Sequence, residues 1–595
     1  MRLLPVGVGL TAAGVYLATA ARDIVVGDSG EFLTAAATLG VAHPPGYPLL
    51  VLLGHVFSWL PFGPMPFRIN LLAVVCGAAT VGLIFSIARR LGVGSLPAAI
   101  AALALAFNPL FWEWSLAVEA FPLNNVLVAA LIYCLVRWEA EPTRTVFLVA
   151  AALCGGLGAA NHLTIIFLIP FVIIVAWRRR TSITAGTVLL CLAAIMIGLL
   201  PYLYIPWAAS RNPFVNWGSV SSAHDLLRHF LRSDYGTGRL VAAGPAGSPL
   251  DRLRGLGTSF TILEMILLVL GAMEASRIRW YFWGSLLSFA VAGPAFVAYA
   301  NMDASNPPIL WALGRFFLLP HVIAAPFAGF GVASIQEVIA SQLPRVNRRM
   351  VNAAVASVAA ALILGSVGMH FREVDQSRNH LAHTFAQDAL ATVAPNSVLL
   401  ARGDEVVFPV GYVQAVEKTR PDVTLVAMGL QGFAWYIPQL RRRDPALRIP
   451  FDRYDPRNPA ATLRALVEAN PTRTFVLIGA PTDNSLTNVY WLYRRGIVEQ
   501  VEPMSTDIGL DAAAEDNERL LHSYRLPEPA TVRRNTFEIS LLDKYERAPA
   551  SIGDQFGLAH LDRQAEVWYR RALEIDPLDD NIREKLAKLN TKAPR

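Results

Sequence analysis

A chain of 595 residues with 54% hydrophobic residues, 16% charged residues and a mean hydropathy of +0.42 is too apolar for an ordinary soluble protein. The net charge of +6 is not gathered into a basic stripe interleaved with aromatics, so nothing points to nucleic acid as a partner. All four cysteines (Cys76, Cys134, Cys154 and Cys191) sit inside apolar runs, which suggests neither a disulfide framework nor a thiolate metal site.

From Leu3 to Met369 the apolar residues form runs of bilayer-spanning length, and beyond them the chain becomes mixed and charged. A spanning helix needs roughly 20 apolar residues, fewer inside a bundle. The runs Leu4–Ala20, Phe67–Ile87, Leu96–Phe111, Pro122–Val136, Thr145–Ala160 and Leu163–Trp177 come first. Ile183–Trp207, Thr258–Met273, Trp280–Ala300, Phe316–Ile335 and Val351–Met369 follow, for a bundle of about eleven spans. The fold class is an α-helical polytopic membrane protein, with its membrane domain over residues 1–369.

With the N-terminus cytoplasmic, the clusters Arg89/Arg90, Arg137/Arg144, Arg178–Arg180, Arg277/Arg279 and Arg345/Arg348/Arg349 each follow an even-numbered crossing. That is the pattern of the positive-inside rule. It places 22–66, 112–121, 208–257, 301–315 and the whole tail outside. Leu17-Ala18-Thr19-Ala20 also resembles a signal-peptidase site, whose cleavage would leave the orientation of the rest unchanged.

The tail mixes β-like runs (Val398–Ala401, Val423–Met428, Phe475–Ile478) with helical stretches, giving an extracytoplasmic α/β domain over 370–545. In 546–595, Ala565, Tyr569, Ala572 and Pro577 fall at the spacings of a tetratricopeptide (TPR) repeat's second helix, and Gly553 and Phe556 fit its first. One such repeat forms a TPR-like helical hairpin, not a solenoid.

The first external loop, 22–66, holds the strongest chemical signal. Asp28 and Glu31 lie three residues apart and share a face if the segment is helical, as Glu31–Leu39 suggests. Such a pair at a membrane surface can deprotonate a hydroxyl or hold a cation. His43-Pro44-Pro45-Gly46 then turns the chain back toward the interface. Glu119, Asn161-His162 and Arg315 stand at outer ends of spans. Singly they read as a solvated acid, a helix-end hydrogen bonder and a snorkelling anchor, and Asp28 as a helix cap. Together they outline one external cavity, because ionisable groups at such depths need partners or water.

These residues also carry a resemblance. Asp28-Ser29-Gly30-Glu31-Phe32, His43-Pro44-Pro45-Gly46-Tyr47-Pro48-Leu49 and Phe67-Arg68-Ile69-Asn70-Leu71 resemble the protein O-mannosyltransferase-like family of membrane proteins. Glu119-Ala120-Phe121-Pro122-Leu123-Asn124 is similar to its Glu-Val-Tyr-x-Leu-Asn element, with Ala-Phe where Val-Tyr is usual. Gly158-Ala159-Ala160-Asn161-His162-Leu163-Thr164, Asn216-Trp217-Gly218 and the Gly403-Asp404 region look like further family elements.

The resemblance implies a GT-C-like bundle that moves a sugar, mannose or another hexose, from a polyprenyl-phosphate donor to a protein or glycan hydroxyl, with inversion. It makes Asp28 the general base. Glu31 orients Asp28, contacts the acceptor or binds a divalent cation, and these alternatives stay open. Arg315 is the first choice for the leaving phosphate, since guanidinium matches phosphate geometry. His162 and His43 are secondary donors, and Tyr47, Arg68, Glu119, Asn161 and Trp217 complete the expected substrate-binding set. No cofactor or metal is otherwise expected. Arg- and Ala-rich usage points to a bacterial inner (plasma) membrane. The competing functions are a transporter or flippase of lipid-linked sugars and a non-enzymatic envelope assembly factor.

Overall fold

The computed structural model describes residues 3–240, 247–455, 459–479 and 484–592. The chain divides into two compact units. One comprises Met1–Asp23, Ala35–Pro213 and Val220–Asn379, and the other Ile24–Thr34, Phe214–Ser219 and His380–Arg595.

The first unit is helical. Among the described residues six helices are long and apolar enough to cross a bilayer: Met65–Arg90, Ala120–Ala140, Ala185–Ser210, Arg279–Tyr299, Pro307–Gln342 and Arg348–Val374. Pro249–Thr258 and Ile262–Ala275, bent by 87° at a short break, make a seventh if counted together. The other four expected runs fall on the shorter apolar helices Leu4–Thr19, Ser95–Ala106, Val146–Ala159 and Leu163–Arg178. Every one of the eleven runs is therefore helical, while length and composition qualify six or seven as crossings. A further apolar helix, Pro48–Ser58, and the helix Ser29–Thr38 occupy the segment expected as a loop.

Small residues let these helices approach closely, as they do where lipid supplies no hydrophobic drive. A Cβ on Gly156 would collide with the Ile195 carbonyl, and Cβ atoms on Gly271 and Gly331 with the carbonyls of Phe327 and Leu267. Buried polar groups tie these helices together: Tyr16 Oη donates to the Ala106 carbonyl (2.6 Å) and Trp112 Nε1 to Thr19 Oγ1 (3.0 Å), whereas Trp114 Nε1 and Ser288 Oγ lack a partner among the described residues.

The second unit is built on a five-stranded mixed sheet: β1 (Val398–Ala401), β2 (Thr424–Ala427), β3 (Phe475–Ile478), β4 (Tyr490–Arg495) and β5 (Val498–Pro503), in the order β2-β1-β3-β5-β4. β1 is parallel to β2 and to β3, pairing Val398 with Thr424 and with Phe475; β5 runs antiparallel to β3 and β4. The three parallel strands are buried throughout, hence their apolar sequences, broken only by Thr424 of β2. At the C-terminal end the helices Glu538–Leu558 and Asp562–Ile575 pack together, with Gly553 admitting the Tyr569 ring.

Candidate functional site

In the membrane unit the first positioning element is Asn70, fully buried in the helix Met65–Arg90. Its Nδ2 donates to the carbonyls of Ala21 (3.1 Å) and Asp23 (3.3 Å), and its Oδ1 accepts from Val118 N–H (2.8 Å). One amide thus ties the chain after the first apolar helix to the chain leading into Glu119. Its neighbour Arg68 holds backbone, donating to the carbonyls of Gly63 (2.8 Å) and Ser58 (3.3 Å).

The His-Pro-Pro-Gly-Tyr turn is anchored by Gly46, whose φ of +96° suits glycine. A Cβ there would lie 2.6 Å from Ile205 Cδ1 and 3.0 Å from His229 Nε2. His229, buried, donates from Nε2 to the Ala42 carbonyl (3.2 Å), and burial, with His43 adding to it, pushes its pKa down to about 3. The turn delivers His43 and Tyr47 to each other, Tyr47 Oη lying 3.1 Å from His43 Nε2.

Tyr47 leads to His162, their rings 5.9 Å apart, and His162 packs on Phe121 (4.6 Å) and Phe316 (6.0 Å). The Arg315 guanidinium lies 5.7 Å from the ring centres of both Phe121 and Phe316, and its Nη1 is 3.6 Å from Glu119 Oε1. Asn161 is fully buried and donates to the Ala120 carbonyl (2.8 Å). His43, Tyr47, Glu119, Asn161, His162 and Arg315 are therefore one connected cluster. It contains a guanidinium and an imidazole donor beside an aromatic wall, a set suited to an anionic oxygen. Phe121, which lacks the phenol usual at this position, contributes the face of its ring.

Thr164, Tyr235 and Phe316 also belong to this neighbourhood, with Tyr235 6.5 Å from His43. Sequence reasoning missed them. Thr164 alone carried a usable signal, standing two residues after His162 in the Asn-His-x-Thr element.

The second unit holds the other carboxylates. Gly27, at φ +93°, turns the chain into Asp28, whose carbonyl accepts from Phe32 N–H (3.0 Å) to open the helix Ser29–Thr38. Gly30 permits close approach: a Cβ would lie 3.0–3.1 Å from the backbone and Cβ of Phe408 and the nitrogen of Pro409. Asp28 remains partly exposed and Glu31 is 1% exposed. Glu31 lines an open cleft of about 60 Å³ with Thr34, Trp217, Trp435 and Arg443. Trp217 is thus grouped with Glu31. Among the described residues no three His, Cys, Asp or Glu side chains could together hold a metal ion.

Two family models match: the protein O-mannosyl-transferase TMEM260 N-terminal domain over residues 28–185, and TMEM260-associated domain 2 over residues 382–452. The mouse protein O-mannosyl-transferase TMEM260 is 32% identical over 476 residues, covering 76% of this chain and 66% of that protein. The chain belongs to the protein O-mannosyltransferase-like family. The Dictyostelium discoideum member is 26% identical over 544 residues, covering 82% of this chain and 65% of its own. About a third of each relative's length therefore lies outside the match. Among solved structures, apo ArnT from Cupriavidus metallidurans is similar with a TM-score of 0.52 at 15% identity, covering 84% of this chain and 97% of that one. The helical membrane fold of this chain is thus similar to that of ArnT. The first family model begins at Asp28 itself and takes in His43, Tyr47, Glu119, Asn161 and His162, but not Tyr235, Arg315 or Phe316.

Proposed function

We propose that the protein is a membrane glycosyltransferase that moves mannose or another hexose from a polyprenyl-phosphate donor to a hydroxyl acceptor. Asp28 takes the proton of the acceptor hydroxyl as its oxygen attacks the anomeric carbon. The bond to the phosphate breaks on the opposite face, so the configuration inverts and the polyprenyl phosphate departs with the electron pair. Arg315, assisted by the Nε2–H of His162, stabilises the charge on that phosphate, and Glu31 orients Asp28 or the acceptor.

The observation that carries this reading is the Arg315–His162–Phe121 cluster, in which a guanidinium shared with Glu119 meets the imidazole and ring of two residues inside the matched family segment. We further propose about eleven crossings, a cytoplasmic N-terminus, an outer C-terminal unit with a TPR-like hairpin, and residence in a bacterial plasma membrane. Arg178 and Arg179 both bond Glu139 (2.8 and 2.9 Å), which supports placing two of the basic clusters on one side.

The test is purified protein with a panel of polyprenyl-phosphate hexoses and pentoses. Release of lipid phosphate that depends on a hydroxyl acceptor supports transfer. A flippase reading finds support in the 87° break between Thr258 and Ile262. It predicts instead that intact donor crosses vesicle membranes with no release.

A further inference from the structure

We propose that the cleft beside Glu31 docks the acceptor as an extended polypeptide, taking an apolar or aromatic side chain into the cleft and an acidic residue at Arg443. The cleft is walled by Val407, Phe408, Leu425 and Leu430, with an aromatic array at one side. Phe433 and Trp435 are stacked 5.7 Å apart at 7°, and Trp217 lies 5.6 Å from Trp435. The surface it presents is mostly apolar. A glycan buried there would leave hydroxyls unmatched, whereas a hydrophobic side chain gains by leaving water.

The charge at the mouth chooses the partner. Arg441, Arg442 and Arg443 end the helix Tyr436–Arg443. Arg441 is neutralised by Asp452 at 2.8 Å. Arg443 is exposed; its guanidinium lies over the Phe214 ring, 4.2 Å from the centroid, and donates to the Phe214 carbonyl (2.7 Å). Among the described residues neither Arg443 nor the exposed Arg442 is paired with a carboxylate. A peptide with Asp or Glu flanking its apolar anchor complements both features, and bidentate recognition suits guanidinium. The loop bearing Trp217 is held in place by Gln439, whose Nε2 donates to the Asn216 carbonyl and to Ser219 Oγ (2.6 Å).

The peptide's later glycosylation rests on the transferase reading, but its binding does not. The full chain, immobilised in lipid nanodiscs, would be panned against a random decapeptide library with a fixed central threonine. The expected result is enrichment of peptides with an acidic residue at one constant offset from an aromatic or aliphatic one. In Arg443→Glu the acidic preference becomes a Lys/Arg preference. In Trp435→Ala the selected peptide binds at least tenfold more weakly, while polyprenyl-phosphate sugar binds as before. No enrichment, enrichment that both variants leave unchanged, or displacement of the peptide by mannan or by co-purified lipid would overturn the proposal. Peptides that bind with this signature yet never accept sugar would contradict the transferase reading and leave the docking cleft standing.

Discussion

Thr164 sets the tautomer of His162. Its hydroxyl lies 2.8 Å from Nδ1 and its backbone N–H donates to the same atom (3.3 Å), while Asn124 Nδ2 donates to the hydroxyl (3.3 Å). Nδ1 is thus an acceptor and the proton sits on Nε2, which becomes the ring's donor toward a substrate oxygen. Thr164→Val removes the hydroxyl half of this hold. We expect kcat to fall about tenfold, equivalent to about 1.4 kcal/mol, with donor affinity little changed. Steady-state kinetics against donor concentration checks this.

Gly46 and His229 give a paired prediction. Gly46→Ala forces a Cβ against Ile205 and His229 at positive φ and should cost about 1–3 kcal/mol of stability. His229 is held neutral, its folded pKa of about 3 lying below the ordinary 6.5. The unfolded chain therefore binds the extra proton first. Stability is full above pH 6.5 and declines as pH falls toward 3, by up to about 1.4 kcal/mol per pH unit from this group. His229→Gln, which keeps a donor for the Ala42 carbonyl, should flatten that decline in thermal melts taken from about pH 7 to about pH 4.

Much of this arrangement was readable from the residues. The apolar runs located the helices, because a bilayer leaves few alternatives to an apolar helix of that length. Crossing number was not readable to the same degree: Leu4–Thr19, Ser95–Ala106 and Val146–Ala159 are apolar but short, and apolarity does not distinguish a span from a packed helix. The polar cluster was legible since Glu119, His162 and Arg315 were costly residues at span ends. Arg68 was not, because a guanidinium that binds two carbonyls has the same sequence signature as one that binds substrate. The grouping of Ile24–Thr34 and Phe214–Ser219 with residues beyond 380 is made by contacts hundreds of residues apart, for which one sequence carries no signal. β4 escaped notice because Tyr-Trp-Leu-Tyr-Arg-Arg shows no clean alternation, and only half-buried or exposed side chains resulted.

Gly30 and Ser29 are neighbours with opposite expectations. Gly30→Ala sets a methyl 3.0–3.1 Å from the Phe408 and Pro409 backbone, which cannot swing aside as a side chain would, so the second unit should lose about 1–3 kcal/mol. Ser29 is 1% exposed, and among the described residues its Oγ has no hydrogen-bond partner. Ser29→Ala removes that unsatisfied group and should leave stability equal or raise it by up to about 1 kcal/mol. Denaturation of the two variants side by side separates close packing from polar content in this motif.

Glu546 offers a pH test in the C-terminal unit. Burial, reinforced by Asp579, Asp543 and Asp576, pushes its pKa up to about 8. A raised carboxyl favours the folded state while it is protonated, so its contribution is complete below about 4.5 and is lost as pH climbs through 8. Glu546→Gln keeps the neutral shape at every pH. Its melting temperature should exceed that of the wild type at about pH 8.5, with the gap closing toward about pH 5.

The proposed transfer depends above all on Asp28 acting as the base. It is tested by single-turnover release of lipid phosphate from a polyprenyl-phosphate hexose in the presence of acceptor, wild type against Asp28→Asn, with donor binding measured separately. Asp28→Asn should lose about 10²–10⁴-fold in the chemical step, with donor affinity preserved. Equal turnover by the two proteins would contradict it.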